Sequence, residues 1–160
     1  MNRIDLHTHS SCSDGSCTPT ELVELAAASG LGAVALTDHD TVAGIAEFLE
    51  AGRRHPEVET IPGVELSTMF GNRELHFVGL FIDPETSELA EFLERMREGR
   101  RRRNELIRLK LNTLGFPVTW DEPEFAGASS DSASIGRPHF ARALMRKYGF
   151  PTMQSVFDRL

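Results

Sequence analysis

Ala33-Val34-Ala35-Leu36-Thr37-Asp38-His39-Asp40 passes from four apolar residues to four polar ones with nothing between. The apolar half suits a strand of a parallel sheet, covered on both faces, where the alternation of a half-buried strand disappears. In parallel α/β folds the functional face lies at the carboxyl ends of the strands. The hydroxyl, two carboxylates and imidazole of residues 37–40 therefore fall where chemistry is expected.

Working outward, the same pattern repeats. Upstream, residues 3–6 read as a short strand that runs into His7-Thr8-His9 and a polar loop from Ser10 to Cys17. Thr18-Pro19-Thr20-Glu21 reads as a helix start, with Thr18 as N-cap, Pro19 in the first helical position and Glu21 closing a capping box. Leu22, Leu25, Ala26 and Ala28 give that helix its apolar face, and Gly30 ends it. Downstream, a second helix is predicted from about Val42 to Arg54, with Ile45, Phe48 and Leu49 inward. Thr60-Ile61-Pro62-Gly63-Val64-Glu65 reads as a third strand. Segments 66–70 and 74–82 flank Gly71-Asn72-Arg73 as a hairpin. Strand, helix, strand, helix, strand implies a parallel sheet with right-handed crossovers.

The pattern changes at Asp83-Pro84. From Thr86 to Leu114 the apolar residues fall at helical spacing, as two helices or one bent one around Gly99 and the run Arg100–Arg103. Residues 127–134 read as a loop. Ile135-Gly136-Arg137-Pro138 leads into a helix to about Tyr148, and a last short helix follows Thr152. A short extended stretch is expected near Val118–Trp120. The expected division is therefore an α/β part, residues 1–83, and a mostly helical part, residues 84–160.

Charge and composition narrow the function. With 17 Lys and Arg against 24 Asp and Glu the chain carries −7, which disfavours an extended duplex nucleic-acid surface. The arginine run reads as the solvated face of a helix. No apolar run approaches the ~20 residues of a membrane span, and the start has no apolar signal core, so a cytoplasmic protein is expected. Cys12 and Cys17 have four residues between them, unlike the two of zinc knuckles and redox motifs, and read as free thiols.

Strand side chains alternate faces, so His7 and His9 can point the same way and share a metal ion. His39 with Asp38 and Asp40, and then Glu65, close the next two predicted strands; the hairpin adds His76 and the first loop Asp14. Each has a plainer reading: Asp14-Gly15 as a turn, Asp38 or Asp40 as a cap for the next helix, His76 as a surface residue. His55, before a proline at a helix end, is left with its plain reading. Ligand types at successive strand ends are what the plain readings leave unexplained. Imidazole with carboxylate suits Mn²⁺, Zn²⁺ or Fe²⁺.

In order and separation, His7-Thr8-His9-Ser10, Asp14-Gly15, Thr37-Asp38-His39-Asp40, Pro62-Gly63-Val64-Glu65 and Ile135-Gly136-Arg137-Pro138-His139 resemble motifs of the polymerase and histidinol phosphatase (PHP) family. The nearest branch by this resemblance is the stand-alone bacterial nucleotide phosphatases and 5′-3′ exoribonucleases. The resemblance implies the N-terminal part of a distorted (β/α)7 barrel with a helical insertion, and a cluster of two or three divalent metal ions held by His7, His9, Asp14, His39, Glu65 and His76. It implies hydrolysis of a phosphate ester by metal-activated water, on a nucleotide mono- or bisphosphate or the 5′ end of a short RNA. Arg137 and His139 are candidates for holding the phosphate, with ion pairing and plain packing as their alternatives.

Nothing in the chain matches the family's later Ala-His-Pro-like strand end or its final Asp-x-His pair, so an open barrel with missing ligands, and weak activity from these residues alone, are expected. Histidinol-phosphate phosphatase is the rival enzyme, and a non-catalytic metal-binding module the rival of another class.

Overall fold

A computed structural model describes residues 3–71, 73–126 and 135–159. The loop expected over 127–134 and the centre of the predicted hairpin turn, Asn72, lie outside the described residues.

The elements in chain order are β1 (Arg3–Thr8), α1 (Pro19–Ala28), β2 (Leu31–Leu36), α2 (Ile45–Gly52), β3 (Glu59–Phe70), β4 (Arg73–Leu80), α3 (Ser87–Thr113), a 3₁₀ turn (Pro123–Phe125), α4 (Arg137–Tyr148) and α5 (Met153–Arg159). They divide into two compact units, Met1–Arg97 and Glu98–Leu160.

In the first unit the sheet order is β1-β2-β3-β4. β1, β2 and β3 run parallel, and β4 returns antiparallel to β3 with Gly63 opposite Leu80 and Phe70 opposite Arg73. β2 shows why its run is apolar throughout. Val34 and Leu36 pack with Leu22, Val23, Ala26, Ile45 and Phe48 of the two helices, while Ala33 and Ala35 pack with Ile61 on the other face. The predicted third strand and first hairpin arm are one 12-residue strand, β3. Gly63 lies within it because a side chain there would meet the Gly79 carbonyl oxygen at 2.8 Å.

The capping box of α1 forms as its sequence predicts: Thr18 accepts from the Glu21 amide, and Glu21 accepts from the Thr18 amide at 2.8 Å. α2 is shorter than predicted, because residues 41–44 turn before it and Gly44 takes the N-cap without a side-chain bond. Neither Asp38 nor Asp40 caps it.

In the second unit, Leu111, Val118, Phe125, Ile135, Phe140, Ala143, Leu144 and Val156 form a separate core. The helical spacing from Thr86 to Leu114 produces one 27-residue helix, α3. Val118–Trp120 forms no strand, although Val118 is fully buried. Among the described residues no helix is long and apolar enough to cross a membrane.

Candidate metal centre

Thr8 fixes the end of β1. Its hydroxyl donates to the Ala35 carbonyl, and its own carbonyl accepts from both the amide and the hydroxyl of Thr37. With Thr8 turned toward β2, His7 and His9 lie on the other side of the chain, their rings 5.2 Å apart.

His39 is brought in by a short extension of the sheet. It bridges to Glu65 in parallel fashion, with the Asp40 amide donating to the Glu65 carbonyl at 2.9 Å and the Glu65 amide to the Asp38 carbonyl at 3.1 Å. His76 lies opposite Ser67, two residues from Val78, the cross-strand partner of Glu65. That diagonal places His76 and Glu65 on one face within reach of each other.

The result is a ring of side chains around Glu65, which is 4% exposed. Its Oε2 lies 2.8 Å from His7 Nε2, 3.0 Å from His9 Nε2 and 3.6 Å from His39 Nδ1; its Oε1 lies 2.7 Å from His76 Nδ1. Asp14 lies 3.6 Å from His9 Nδ1 and 3.7 Å from His39 Nε2. Three groups of potential ligands result: His7, His9 and Glu65; His9, Asp14 and His39; His39, Glu65 and His76. Any two groups share one residue. All six predicted ligands are thus brought together.

The residues fit a cation on grounds of their own. Donors bound ~2.1 Å from one ion at tetrahedral or octahedral angles lie roughly 3–3.4 Å apart, and these pairs bracket that spacing. Among the described residues every ion-pair partner of Glu65 is a histidine. Burial pushes the Glu65 carboxyl pKa up, but the His7 hydrogen bond and the nearby rings of His39, His7 and His9 outweigh it and hold it below the usual range. His9 Nδ1 is buried with no hydrogen-bond partner, a cost that coordination of a cation would remove.

Two residues with plainer sequence readings prove central to this geometry. Asp38, 1% exposed, accepts from the Ser10 amide at 2.7 Å, the Ser10 hydroxyl at 2.6 Å and the Ser13 hydroxyl at 2.6 Å. Asp40, with φ of 52°, accepts from the Ser67 amide at 2.8 Å. Their flanking of His39 was the only signal in the sequence. Gly15 is required by a close approach, since a Cβ there would lie 2.2 Å from the His9 carbonyl oxygen.

Other candidates are not members of these three groups. His55 pairs with Glu57 at 3.2 Å. Cys12 and Cys17 are free thiols, and burial, the largest influence, raises the Cys12 pKa. Arg137 and His139 belong to the second unit, at the start of α4. His139 is buried, and its Nδ1 accepts from the Gly136 amide at 3.0 Å.

The PHP domain model matches residues 5–148. The chain belongs to the PHP domain family. It is 39% identical over 156 residues to the 5′-3′ exoribonuclease Rnm of Salmonella typhimurium, covering 97% of this chain and 52% of that protein. It is 39% identical over 166 residues to the 3′,5′-nucleoside bisphosphate phosphatase of Chromobacterium violaceum, covering 99% of this chain and 55% of that one. A solved structure from the same organism, described as an amidohydrolase with bound sulfate and no metal, superposes with a TM-score of 0.89 at 38% identity, over 98% of this chain and 54% of that one. The PHP chain thus spans about half the length of the curated relatives it matches. Its four-stranded, mostly parallel sheet and helices are the front part of the family's (β/α) barrel. A structural neighbour assigned as a metal-dependent phosphoesterase agrees with divalent cations as the cofactor class.

Proposed function

We propose that this PHP chain carries the front half of a metallophosphoesterase active site and hydrolyses a phosphate ester of a small phosphorylated substrate, a nucleotide mono- or bisphosphate or the 5′ end of a short RNA. The ring of His7, His9, Asp14, His39, Glu65 and His76 is the observation that carries this reading.

Two or three divalent cations suit the donor set. His7, His9 and Glu65 would hold one, and His39, Glu65 and His76 another. Asp14 and His39 offer a third position. When bound, such cations supply Lewis acidity that makes water an effective nucleophile and offsets phosphate charge. Mn²⁺, Zn²⁺ and Fe²⁺ all suit imidazole with carboxylate.

The protein's own part is to hold these donors in place. Residues 84–160 are taken as the helical insertion, and Arg137 and His139 within it are the candidates for a phosphate contact. Arg137 is exposed in the first turn of α4. Because His139 Nδ1 accepts from Gly136, Nε2 bears the proton of the neutral ring and is a donor. Names of relatives support nucleotide or RNA-end substrates, and a cytoplasmic setting suits such substrates.

The test is phosphate release from a 3′,5′-nucleoside bisphosphate, a 5′-phosphorylated short RNA and histidinol phosphate, with saturating Mn²⁺, by the wild-type chain and Glu65→Gln. Turnover of either of the first two that is lost in Glu65→Gln is the expected result. Turnover of histidinol phosphate alone would assign the rival substrate. Metal binding with no turnover of any of the three, in this chain or one extended to the relatives' length, would make the chain a binding module.

A further inference from the structure

The loop from Ser10 to Cys17 carries Asp14 and contains no helix or strand. Its shape is set around Ser10. The amides of Ser13 and Gly15 both donate to the Ser10 carbonyl, at 3.1 and 3.0 Å, and the Ser11 amide donates to the Cys17 carbonyl at 2.7 Å. What holds Ser10 is therefore what holds Asp14.

Ser10 is held from across the sheet by Asp38, 28 residues away. The carboxylate takes the Ser10 amide and the Ser13 hydroxyl on Oδ1 and the Ser10 hydroxyl on Oδ2, all within 2.7 Å. The Cys12 amide donates to the Ser10 hydroxyl oxygen at 3.1 Å, which leaves that hydroxyl's proton for Asp38. Ser10, Ser13 and Asp38 are all buried. Its three donors are neutral, and bonds accepted by a charged oxygen are stronger and shorter than neutral ones. Meanwhile the Asp38 backbone carbonyl accepts from the Glu65 amide. One residue thereby ties the Asp14 loop to β3, where Glu65 sits.

From this we infer that Asp38 is a positioning residue for the metal centre: through Ser10 and Ser13 it fixes the loop so that Asp14 faces His9 and His39. The inference rests on the metal-centre reading for its consequence, but the hydrogen bonds to Asp38 are made within the chain itself. Asn at position 38 keeps the shape, loses the charge, and offers an amide where Oδ2 accepts from Ser10. Support of this kind for a ligand is worth ~10–100-fold in metal affinity.

The test has two arms on the 160-residue chain, with wild type, Asp38→Asn and Ser13→Ala. In the metal-free arm, amide hydrogen exchange at Ser13 and Gly15 should speed up roughly tenfold or more in Asp38→Asn, and less in Ser13→Ala. Exchange at Val34 and Ala35 in β2 should stay as in the wild type. In the second arm, stepwise Mn²⁺ titration should show one binding step weakened by ~10–100-fold in Asp38→Asn, while a step that depends on His7 stays within about threefold. Uniform acceleration through β2 would reduce Asp38 to a general stabiliser of the fold. Unchanged loop exchange in both variants would overturn the inference. Should Asp38→Asn fail to fold, Ser13→Ala decides alone: faster exchange confined to residues 11–15 supports the inference and no change overturns it. A wild type that binds no Mn²⁺ would defeat the metal reading while the exchange arm still judges the positioning.

Discussion

Glu65 in the first unit and Glu122 in the second are both carboxylates with little exposure, 4% and 8%, and both have lowered pKa values. Their surroundings differ in kind. Glu122 is answered by fixed cations: Lys147 Nζ donates to Oε1 at 2.7 Å, and the Arg146 guanidinium donates to Oε2. Among the described residues Glu65 is answered by imidazoles, which carry a full charge only when protonated. One unit neutralises its buried acid with its own chain. The other surrounds it with imidazole nitrogens, atoms that could share a cation from solution with the carboxylate.

The sharpest way to break this contrast is to neutralise each carboxylate in turn. Glu65→Gln should lower Mn²⁺ affinity by ~100-fold or more, because two of the three ligand groups lose their shared carboxylate charge and one of its oxygens. Glu122→Gln should leave Mn²⁺ affinity unchanged and lower the stability of its own unit. Isothermal titration and chemical denaturation of both variants read the two effects, and a metal defect in Glu122→Gln would contradict the division of labour.

The units should also respond separately to core damage. Phe48 is fully buried between β2 and the helices of the first unit, so Phe48→Ala should cost about 3–5 kcal/mol. Leu144, 1% exposed in the second core, should cost about 2–5 kcal/mol as Leu144→Ala. Denaturation followed by hydrogen exchange checks whether each loss stays in its own unit.

Acid should act on the second unit through Glu122. The Lys147 hydrogen bond, the largest influence, and that from Arg146 hold its pKa below the ordinary value of about 4.3 against the upward push of burial. Such a group contributes stability that is complete above its unfolded pKa and is lost as pH falls through the lowered folded value. The wild type should therefore lose more stability between pH 6 and pH 3 than Glu122→Gln does, as read from denaturant midpoints. The smallest effect belongs to Arg102, the exposed member of an arginine run whose Arg100 is buried, contrary to the solvated face expected for it: it pairs with Glu98, and Arg102→Ala should cost about 0.3–0.5 kcal/mol.

Much of the first unit was legible because its signals are local. The apolar run of β2, the Thr18 capping box and the hairpin each announce themselves within a few residues. The meeting of His7, His9, His39 and Glu65 was legible because the ends of parallel strands share one edge of the sheet; Asp14, in a loop, and His76, on the antiparallel β4, joined the candidate ligands through the family resemblance. Less legible were contacts made across the sheet. The sequence reading treated Asp38 and Asp40 as possible caps for α2, yet they bond Ser10, Ser13 and Ser67, more than 20 residues away. The single long α3 was also ambiguous, since Gly99 and four arginines can either break a helix or lie along it. Here Gly99 lies inside the helix with nothing within 4 Å of where its Cβ would be.

Cation binding by the ring at Glu65 is the claim on which the rest depends, and a crystal of this chain grown with Mn²⁺ and read by anomalous scattering tests it most directly. The account predicts manganese at ~2–2.2 Å from a Glu65 oxygen and from nitrogens of His7 and His9, with a further ion where Asp14 and His39 face each other. Manganese absent from the ring at saturating concentration, or bound only at carboxylates such as Glu122 and Glu124, would contradict it.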